Sequence, residues 1–495
     1  MKVSSTPICV VGAGTMGRGI AQVALTAGHP VSLVDAQSEP LLAAAKEIEA
    51  RLTRRQPTVA AELSARLGTF SSITDVPPHP DTVVIEAVLE NLDAKIAVFR
   101  EAAGHFGSRC VLATNTSSLS VTAIAAGSPQ PERVVGMHFF NPVPVMKLVE
   151  VVTGLQTDPK VAEQIATLAT AWGKEVAHVR SAPGFIVNRV ARGFYGEALR
   201  LVEEQVAQPR TIDALMRSAG FRMGPFELMD LIGNDVNSAV TRSVWTAFNF
   251  DPRFEPSRVQ DELVAAGRYG RKSGRGFYSY GEDESEVESP AVVPPGYLPD
   301  TVELTGESAE LEIILDRSGV SLERADADGG YALLAGGVAL RVTRGQSAAI
   351  ESAKLGGIPV VLLDRWISPA GPSALAVSAS DRSALGPVAA LLSKAGIAAV
   401  EVADSPGMVL ARTLAVIANE AWETTLHGVA TPPDIDKAME LGTNYPSGPF
   451  SWTEQWGPGV VEELLDGLWG TYHDTRYRAS RALRDAASAV ATRRD

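Results

Sequence analysis

The alternation of apolar and polar residues divides the chain into α/β and helical parts. Short β-branched runs occur at residues 8–11 and 31–35, with a helical stretch between them. Three further strand-like runs, again separated by helical segments, follow at residues 83–86, 111–113 and 134–136. Strands that alternate with helices are typical of a mostly parallel sheet covered by helices on both faces. Residues 1–183 are therefore predicted to form a doubly wound α/β domain.

Helical periodicity begins after Pro183-Gly184. Apolar residues there recur at steps of three or four and define one buried helix face: Ile186, Val190, Phe194, Ala198 and Leu201. Residues 184–280 are therefore predicted to form an all-α domain. The acidic, proline-rich stretch at residues 281–300 has no apolar periodicity, which indicates a linker.

The segment beyond this linker repeats the helical segment before it. Pro183-Gly184 aligns with Pro406-Gly407, and further matches follow in the same order: Arg189 with Arg412, Glu197-Ala198 with Glu420-Ala421, Ile212-Asp213 with Ile435-Asp436, and Gly224-Pro225-Phe226 with Gly448-Pro449-Phe450. Ordered matches over this length are hard to obtain by chance. A repeated all-α domain is therefore predicted at residues 405–495.

The duplication is expected to extend back into a second α/β segment. Residues 30–35 resemble residues 359–364. At the same offset, three glycines of the first copy are replaced by larger residues: Gly12 by Arg341, Gly14 by Thr343 and Gly17 by Gln346. We expect residues 301–404 to form a degenerate copy of the first α/β domain that serves packing.

Composition narrows the classes of protein that remain. A chain of 495 residues, at about 150 residues per domain, is long enough for three or more domains. Its 44 basic and 58 acidic residues give a formal charge of −14, which argues against nucleic acid as a partner because phosphate binding needs a basic face. A small anionic ligand is still compatible, since the local field at a cleft can oppose the net charge.

Targeting and metal-binding signals are missing from the sequence. No apolar run approaches the roughly 18 residues of a membrane helix, and the N-terminus does not resemble a secretory signal. We therefore expect a cytoplasmic protein with no membrane partner. The two cysteines, Cys9 and Cys110, make neither a disulfide framework nor a metal-ligand pattern, so no metal is expected.

A glycine-rich turn follows the first predicted strand. Gly12, Gly14 and Gly17 have the G-x-G-x-x-G spacing, and Asp35 ends the next strand. Such glycines let a diphosphate approach the helix N-terminus, where unpaired N–H groups favour anions. Asp35 would accept hydrogen bonds from ribose hydroxyls and repel a 2′-phosphate, so NAD is favoured over NADP. An unoccupied turn of the sheet is the alternative interpretation.

A histidine and a carboxylate flank a turn that contains two prolines. An imidazole, with an ordinary pKa of about 6.5, can take or give a proton near neutrality, and a carboxylate beside it would orient it. Glu150 lies twelve residues after His138, so the chain could double back and bring the two together. A structural histidine beside two phenylalanines is the alternative.

Three strings of residues carry a family resemblance. They are Asn115–Leu119 (NTSSL), His138–Glu150 (HFFNPVPVMKLVE) and Pro183–Arg189 (PGFIVNR). In this order and spacing they resemble the 3-hydroxyacyl-CoA dehydrogenase family, over nearly all of residues 6–280. The resemblance implies a Rossmann-type NAD-binding domain, a family C-terminal helical domain, and NAD-dependent oxidation of a (3S)-3-hydroxyacyl-CoA to the 3-oxoacyl-CoA.

The length of the chain refines this resemblance. A form with a second helical repeat resembles the branch of the family that oxidises 3-hydroxyadipyl-CoA in phenylacetate catabolism. The alternatives are a 3-hydroxybutyryl-CoA dehydrogenase and a non-catalytic NAD-binding relative. A terminal carboxylate on the substrate would need a cation, for which Arg222 and Arg192 are candidates.

The resemblance also implies roles for individual residues. His138 and Glu150 match the catalytic pair, and Ser117 and Asn188 match the residues that hold the substrate. Residues matching the family's NAD contacts are Glu90, Lys95, Asn141 and Lys272. A basic cluster lies where the family binds CoA: Arg51, Arg54 and Arg55.

Each of these assignments has a structural alternative. Ser117 could form a side-chain turn, and Asn188 could bond to its own helix terminus. Glu90 and Lys95 could be an exposed helix pair, and the arginine cluster a solvated helix face. A solvated face is also predicted for the C-terminal arginines: Arg476, Arg478, Arg481 and Arg484.

The second copy lacks the catalytic set. Ala411 stands where the first copy has Asn188, and no His-x-x-Asn-Pro string precedes it. One active site per chain is therefore predicted. Because members of the family often dimerise through the helical domain, we expect either a homodimer or a monomer in which the two repeats mimic a dimer.

Overall fold

The structure is a computed structural model that describes residues 6–281, 290–325, 329–368 and 370–492. Its strands are β1 (Ile8–Val11), β2 (Val31–Val34), β3 (Leu67–Phe70), β4 (Val83–Glu86), β5 (Val111–Thr114), β6 (Val134–Phe139), β7 (Leu148–Thr153), β8 (Glu175–Arg180), β9 (Thr301–Thr305), β10 (Ser321–Ala325), β11 (Tyr331–Leu334), β12 (Val338–Val342), β13 (Val360–Leu363), β14 (Ala374–Ala379) and β15 (Ala398–Glu401).

The helices of the first half of the chain are α1 (Thr15–Thr26), α2 (Ser38–Arg55), α3 (Ala60–Ser64), α4 (Leu92–Phe106), α5 (Val121–Ala126), α6 (Pro159–Ala171), α7 (Val187–Val190), α8 (Arg192–Glu203), α9 (Pro209–Ser218), α10 (Pro225–Ile232), α11 (Asn234–Ala247) and α12 (Arg258–Ala265). Those of the second half are α13 (Ala309–Ser318), α14 (Ala348–Lys354), α15 (Leu385–Lys394), α16 (Leu410–Leu426), α17 (Pro432–Thr443), α18 (Pro449–Trp456), α19 (Pro458–Tyr472) and α20 (Arg481–Ala491). Among these described helices, none has the length and apolar character that a membrane span requires.

The chain forms two compact units. The first contains the described residues up to Arg189 together with His427–Thr443, and the second contains Val190–Leu426 together with the described residues from Asn444 onward. The segment that carries α17 therefore belongs to the first unit, although the sequence repeat assigns it to the second helical domain.

The first unit is built on an eight-stranded sheet of order β3-β2-β1-β4-β5-β6-β7-β8. All neighbours are parallel except β6 and β7, which are antiparallel. Strands β1, β4 and β5 are buried along their whole length, as expected for a sheet covered on both faces. The strand order reverses between β1 and β4, and ligands of such sheets bind beyond the carboxyl ends of the strands at this point. The predicted doubly wound domain is confirmed.

The second unit contains the remaining helices and a seven-stranded sheet of order β10-β9-β11-β12-β13-β14-β15. Helix α8 of the first repeat and α16 of the second pack closely here. A Cβ added at Gly193 would lie 3.0 Å from Cγ1 of Ile417. The predicted second α/β segment and repeated all-α domain are thus both present.

The expected correspondence between residues 359–364 and residues 30–35 is wrong. Strand β2 has parallel neighbours on both sides, whereas β13 is parallel to β12 and antiparallel to β14, which is the arrangement of β6. Asp364 consequently does not occupy the place of Asp35. Its carboxylate accepts hydrogen bonds from the backbone N–H groups of Leu410 (2.7 Å) and Ala411 (2.9 Å) and so caps α16. Short Val-rich strands resemble one another because their pattern does not specify their neighbours.

Two further expectations concern the linker and the C-terminal arginines. Most of the acidic stretch, residues 282–289, lies outside the described residues. Beyond it, the chain runs beside β15, where the N–H of Val293 donates to the carbonyl of Ala399 at 2.8 Å. The solvated face predicted for the arginines is wrong for Arg476, which is 4% exposed and lies 3.5 Å from the carboxylate of Glu197.

Candidate active site

The turn between β1 and α1 requires its glycines. Gly12 has φ +107°, and a Cβ there would lie 2.5 Å from the carbonyl oxygen of Ala87. A Cβ at Gly17 would lie 1.7 Å from the carbonyl oxygen of Gly12. Gly14, by contrast, has open space beside it and precedes α1 without capping it through a side chain. The first N–H groups of α1 are therefore available to a diphosphate, as NAD binding requires.

Asp35 lies at the carboxyl end of the neighbouring strand. One carboxylate oxygen accepts the N–H of Ala13 at 2.8 Å, and the other accepts the N–H of Gln37 at 2.9 Å. A carboxylate has about four acceptor positions, so two remain for ribose hydroxyls. The turn and Asp35 line the same cleft, of about 750 Å³, together with Ser71 and Ser72. The residues present thus fit a dinucleotide.

The structure brings His138 and Glu150 together. They face each other on the antiparallel strands β6 and β7, and Nδ1 of His138 lies 2.6 Å from Oε2 of Glu150. The second oxygen of this buried carboxylate accepts the N–H groups of Ile186 (3.0 Å) and Val187 (3.1 Å) at the start of α7. Glu150 is therefore fixed on both sides and holds the imidazole in one orientation, which leaves Nε2 for a substrate.

Two aromatic rings pack against this imidazole. The ring centroid of His138 lies 4.6 Å from that of Phe140 and 5.7 Å from that of Phe185. His138 is itself only 6% exposed. These contacts restrict the imidazole without offering it a second hydrogen-bonding group.

Ser117 and Asn188 are also adjacent. The side-chain amide of Asn188 lies 3.4 Å from the carbonyl oxygen of Ser117, and both side chains are partly exposed. Asn115, two residues before Ser117, accepts the N–H of Phe139 at 2.9 Å and so ties this loop to the end of β6. Helix α7, which carries Asn188, is the same helix that Glu150 caps. The four residues matched to the catalytic and substrate roles therefore form one cluster.

A network of ion pairs supports the Ser117 loop; its Lys95 is buried, whereas the side chain of Glu90 is 37% exposed. Glu90 accepts hydrogen bonds from the hydroxyl of Thr116 (2.6 Å) and from the N–H groups of Ser117 and Ser118 (3.0 Å each). Burial alone would raise the pKa of Glu90, but the hydrogen bonds from Thr116 and Ser118 and the charge of Lys95 lower it to about 2. Glu90 is thus a carboxylate throughout the neutral pH range.

Lys95 is part of this network rather than of an exposed helix pair. It is 1% exposed, and its ammonium lies 2.7 Å from Glu86 and 3.2 Å from Glu90. Sequence reasoning missed Glu86, which is fully buried and also accepts the hydroxyl of Thr114 at 2.7 Å. A charged residue at the end of an otherwise apolar strand was the available signal.

Asn141 and Lys272 lie in different units. Asn141 is exposed in the turn between β6 and β7 and precedes a cis peptide bond to Pro142. Lys174 supports this turn, since its ammonium donates to the carbonyl of Met146 at 2.7 Å. Lys272 lies in the second unit, where its ammonium is 2.6 Å from Asp235.

The basic cluster lies on the last turns of α2. Arg51 forms an ion pair with Glu47, whereas Arg54 and Arg55 are exposed. Arg55 lines a cleft of about 310 Å³ together with Lys147 and Lys174. Helix α2 follows β2, which lies towards the opposite end of the sheet from the strands of His138 and Glu150, and all of them belong to the first unit.

Family models match almost the whole chain. The NAD binding domain of 3-hydroxyacyl-CoA dehydrogenase matches residues 7–182, and the C-terminal domain of the same family matches residues 184–280 and again 407–494. The reduced Rossmann-fold domain of 3-hydroxybutyryl-CoA dehydrogenase matches residues 340–406. The intervening segment thus matches a family model of its own, that of a reduced Rossmann-fold domain.

Individual relatives agree with these matches. The chain is 42% identical over 493 residues to the 3-hydroxyadipyl-CoA dehydrogenase of Escherichia coli, and the alignment covers 98% of each chain. A crystal structure of 3-hydroxybutyryl-CoA dehydrogenase from Escherichia coli K12 superposes with a TM-score of 0.89 at 40% identity, covering 99% of both chains. The mitochondrial hydroxyacyl-coenzyme A dehydrogenase of Sus scrofa is 38% identical over 92% of its length, but only 56% of this chain is covered.

These comparisons bear directly on the predictions from sequence. The expected Rossmann fold with two helical repeats, the NAD cofactor and the oxidoreductase activity on 3-hydroxyacyl-CoA are all confirmed. The chain belongs to the 3-hydroxyacyl-CoA dehydrogenase family.

Proposed function

We propose that His138 is the catalytic base of this enzyme, that Glu150 orients it, and that the substrate is (3S)-3-hydroxyadipyl-CoA. The observation that carries the catalytic assignment is the 2.6 Å contact between the imidazole and a carboxylate that two backbone N–H groups hold in place. An imidazole fixed in this way needs no reorganisation when it takes a proton.

The chemistry follows from this geometry. Bound NAD supplies the acceptor for the hydride that leaves C3 of the substrate. Nε2 of His138 takes the proton of the C3 hydroxyl, so the alcohol becomes a carbonyl and no other reactant is needed. Glu150 accepts the hydrogen bond of Nδ1–H and stabilises the imidazolium that forms. Ser117 and Asn188 hold the oxygen on C3, because hydroxyl and amide groups can donate to the developing carbonyl.

The contacts to the cofactor and to CoA are part of the same proposal. Gly12, Gly14 and Gly17 admit the diphosphate, and Asp35 binds the adenine ribose. Glu90, Asn141 and Lys272 are proposed to contact NAD. Lys95, matched to the same role, is buried, and we propose that it serves NAD binding through the carboxylate of Glu90. Arg51, Arg54 and Arg55 are proposed to contact CoA.

Two acyl-CoA thioesters are candidates for the substrate. The relative aligned over 98% of the chain is named for 3-hydroxyadipyl-CoA, whereas the solved structure that covers 99% is named for 3-hydroxybutyryl-CoA. A dicarboxylic substrate needs a cation at its free end. Arg192 is buried, donates to Thr241 at 3.0 Å and lies over the ring of Tyr195, whereas Arg222 is exposed. We therefore propose Arg222 as the cation.

Turnover with a panel of acyl-CoA thioesters tests the substrate. We expect kcat/KM to be higher for 3-hydroxyadipyl-CoA than for 3-hydroxybutyryl-CoA. In Arg222→Ala, we expect the value for the dicarboxylic substrate to fall by about tenfold, the effect of losing one charge-assisted hydrogen bond, with no change for the C4 substrate. A preference for the C4 thioester would instead favour the second candidate. A purified protein that binds NADH but does not oxidise it with acetoacetyl-CoA would indicate a non-catalytic relative.

Asp35 gives a separate prediction for the cofactor. In Asp35→Asn, we expect Kd for NADH to rise by about 10–100-fold, because hydrogen bonds to a charged group contribute roughly 1.5–3 kcal/mol. We also expect discrimination against NADPH to weaken, since the carboxylate that repels a 2′-phosphate is gone. Titration of both cofactors by fluorescence measures the two effects. An unchanged ratio of the two Kd values would remove Asp35 from cofactor selection.

The oligomeric state is proposed from the second unit alone. Helices α8 and α16 of the two repeats pack on each other within one chain, as the Gly193–Ile417 contact indicates. We propose a monomer in which the repeats mimic a dimer, in preference to a homodimer. Cytoplasmic location and the absence of a nucleic-acid partner stay predictions from sequence.

A further inference from the structure

We infer that helix α17, which comes from the second helical repeat, positions the catalytic pair, and that Gly442 is the residue through which it does so. The inference rests on the proposed roles of His138 and Glu150. It extends them to a segment that the sequence places in a repeat without catalytic residues. All the residues concerned belong to the first unit, which includes His427–Thr443.

Polar contacts attach this segment to the edge of the first sheet. The N–H of Arg180 donates to the carbonyl of Val429 at 2.7 Å, and the guanidinium of Arg180 donates to the carbonyl of His427. The ammonium of Lys437 donates to the carbonyl of Val176 at 2.9 Å. Both Val176 and Arg180 belong to β8, so α17 is held beside the outermost strand at two points.

The end of α17 approaches the sheet too closely for a side chain. A Cβ added at Gly442 would lie 2.8 Å from Cδ2 of Leu148 and 3.0 Å from Cγ2 of Val187, and 3.7 Å from Cε1 of Phe140. The first of these separations requires the end of the Leu148 side chain to shift, and the second requires Val187 to give by a few tenths of an ångström. A side chain at position 442 would therefore displace Leu148 and Val187, and a larger side chain would displace them further.

Each neighbour of Gly442 adjoins the catalytic pair. Leu148 begins β7, two residues before Glu150. Val187 donates its N–H to Glu150 at 3.1 Å. Phe140 has its ring centroid 4.6 Å from that of His138. A displacement at Gly442 would thus reach both partners of the 2.6 Å hydrogen bond through packed side chains.

Substitution of Gly442 in the full chain tests this inference. We expect Gly442→Ala to lower kcat several-fold and Gly442→Val to lower it by about 10–100-fold, since misplacement of catalytic groups by about 1 Å can cost 10²-fold. KM for the acyl-CoA and Kd for NADH should change less than kcat, because the glycine-rich turn and the arginine cluster follow β1 and β2, whereas α17 packs against β7 and β8 towards the other end of the sheet. Steady-state kinetics and NADH titration separate these parameters.

Gly104 provides the matched control. It also lies near the carboxyl end of a helix of the first unit, α4, but a Cβ there would meet nothing within 4 Å. Gly104→Val makes the same change of residue in a helix without the close contact, and we expect its kcat to equal that of the unsubstituted protein. If Gly442→Val does not fold, the comparison is made with Gly442→Ala and Gly104→Ala.

The outcomes distinguish this inference from the proposed function. Unchanged kcat in the folded Gly442 variants overturns the inference, as does an equal loss in the Gly104 control or an equal loss of NADH affinity. If His138→Ala is inactive in the same assay, the proposed base stands regardless. If His138→Ala is fully active, the proposed function fails, whatever the Gly442 variants do.

Discussion

Replacing His138 by alanine is expected to lower kcat by about 10²–10⁴, the usual contribution of a general acid–base group. Kd for NADH should stay the same, because the imidazole contacts Glu150 and two aromatic rings rather than the glycine-rich turn. The substitution removes a side chain that is 6% exposed, so the fold has to be checked by circular dichroism and thermal unfolding. Stopped-flow measurement of NADH oxidation with a 3-oxoacyl-CoA gives the rate.

Two further variants make this result interpretable. His178 lies on β8 of the same sheet and is exposed, so His178→Ala should have normal turnover. Glu150→Gln keeps an acceptor for the N–H groups of Ile186 and Val187 but removes the charge that stabilises an imidazolium. We expect it to lower kcat without affecting NADH binding. Normal turnover of the His138→Ala variant would exclude His138 as the base.

The sequence predicted the centre of this site because the relevant geometry is local. Two prolines between His138 and Glu150 made a reversal of the chain plausible, and an antiparallel pair of strands brings the residues opposite each other. The glycine spacing and Asp35 were equally local signals. They were sufficient because the turn and the adjacent strand end are fixed by a single β-α-β unit.

The residues and helices that hold the site in place could not be predicted from local sequence in the same way. Burial of Lys95 depends on how α4 packs against β4, and spacing alone could not exclude an exposed pair with Glu90. Glu86 ends the predicted strand at residues 83–86, but its pairing with Lys95 depends on the same packing of α4. Placement of α17 beside β8 is a long-range contact, and helical periodicity defines a buried face without naming the surface that covers it.

Of the two predicted duplications, the helical one was correct, whereas the strand alignment in the α/β one was wrong. The helical duplication was found because its matches occur in order over many residues. The alignment of β13 with β2 failed, since a short and largely apolar run ending in aspartate does not specify whether its neighbours are parallel or antiparallel. Only the pairing of β13 with its neighbours identified it as the counterpart of β6.

Arg412 was matched to Arg189 only as a repeat position, but the structure gives it a defined role. It is fully buried, with Nε 2.7 Å from Glu197 and one terminal nitrogen 2.9 Å from Glu204. The same guanidinium donates to the hydroxyl groups of Tyr477 (2.8 Å) and Tyr472 (3.1 Å). Glu197 belongs to α8 and Arg412 to α16, so this ion pair joins the two repeats.

Replacing Arg412 by methionine is expected to lower the free energy of unfolding by about 3–5 kcal/mol, because Glu197 would be left charged and buried without its main partner. Burial alone would raise the pKa of Glu197, and it is the charge of Arg412, with those of Arg476 and Arg200, that lowers it. Urea unfolding followed by tryptophan fluorescence measures the change, since six of the seven tryptophans lie in the second unit.

The double variant Arg412→Met, Glu197→Gln should be less destabilised than the sum of its single variants, because the buried charge is removed together with its partner. An exposed ion pair of the same unit, Arg382–Glu401, provides the control, and Arg382→Ala should cost at most about 1 kcal/mol. Unfolding midpoints that do not depend on protein concentration would agree with the proposed monomer, since a dimer interface would make them rise with concentration. Equal stability of Arg412→Met and Arg382→Ala would mean that this ion pair does not stabilise the contact between the repeats.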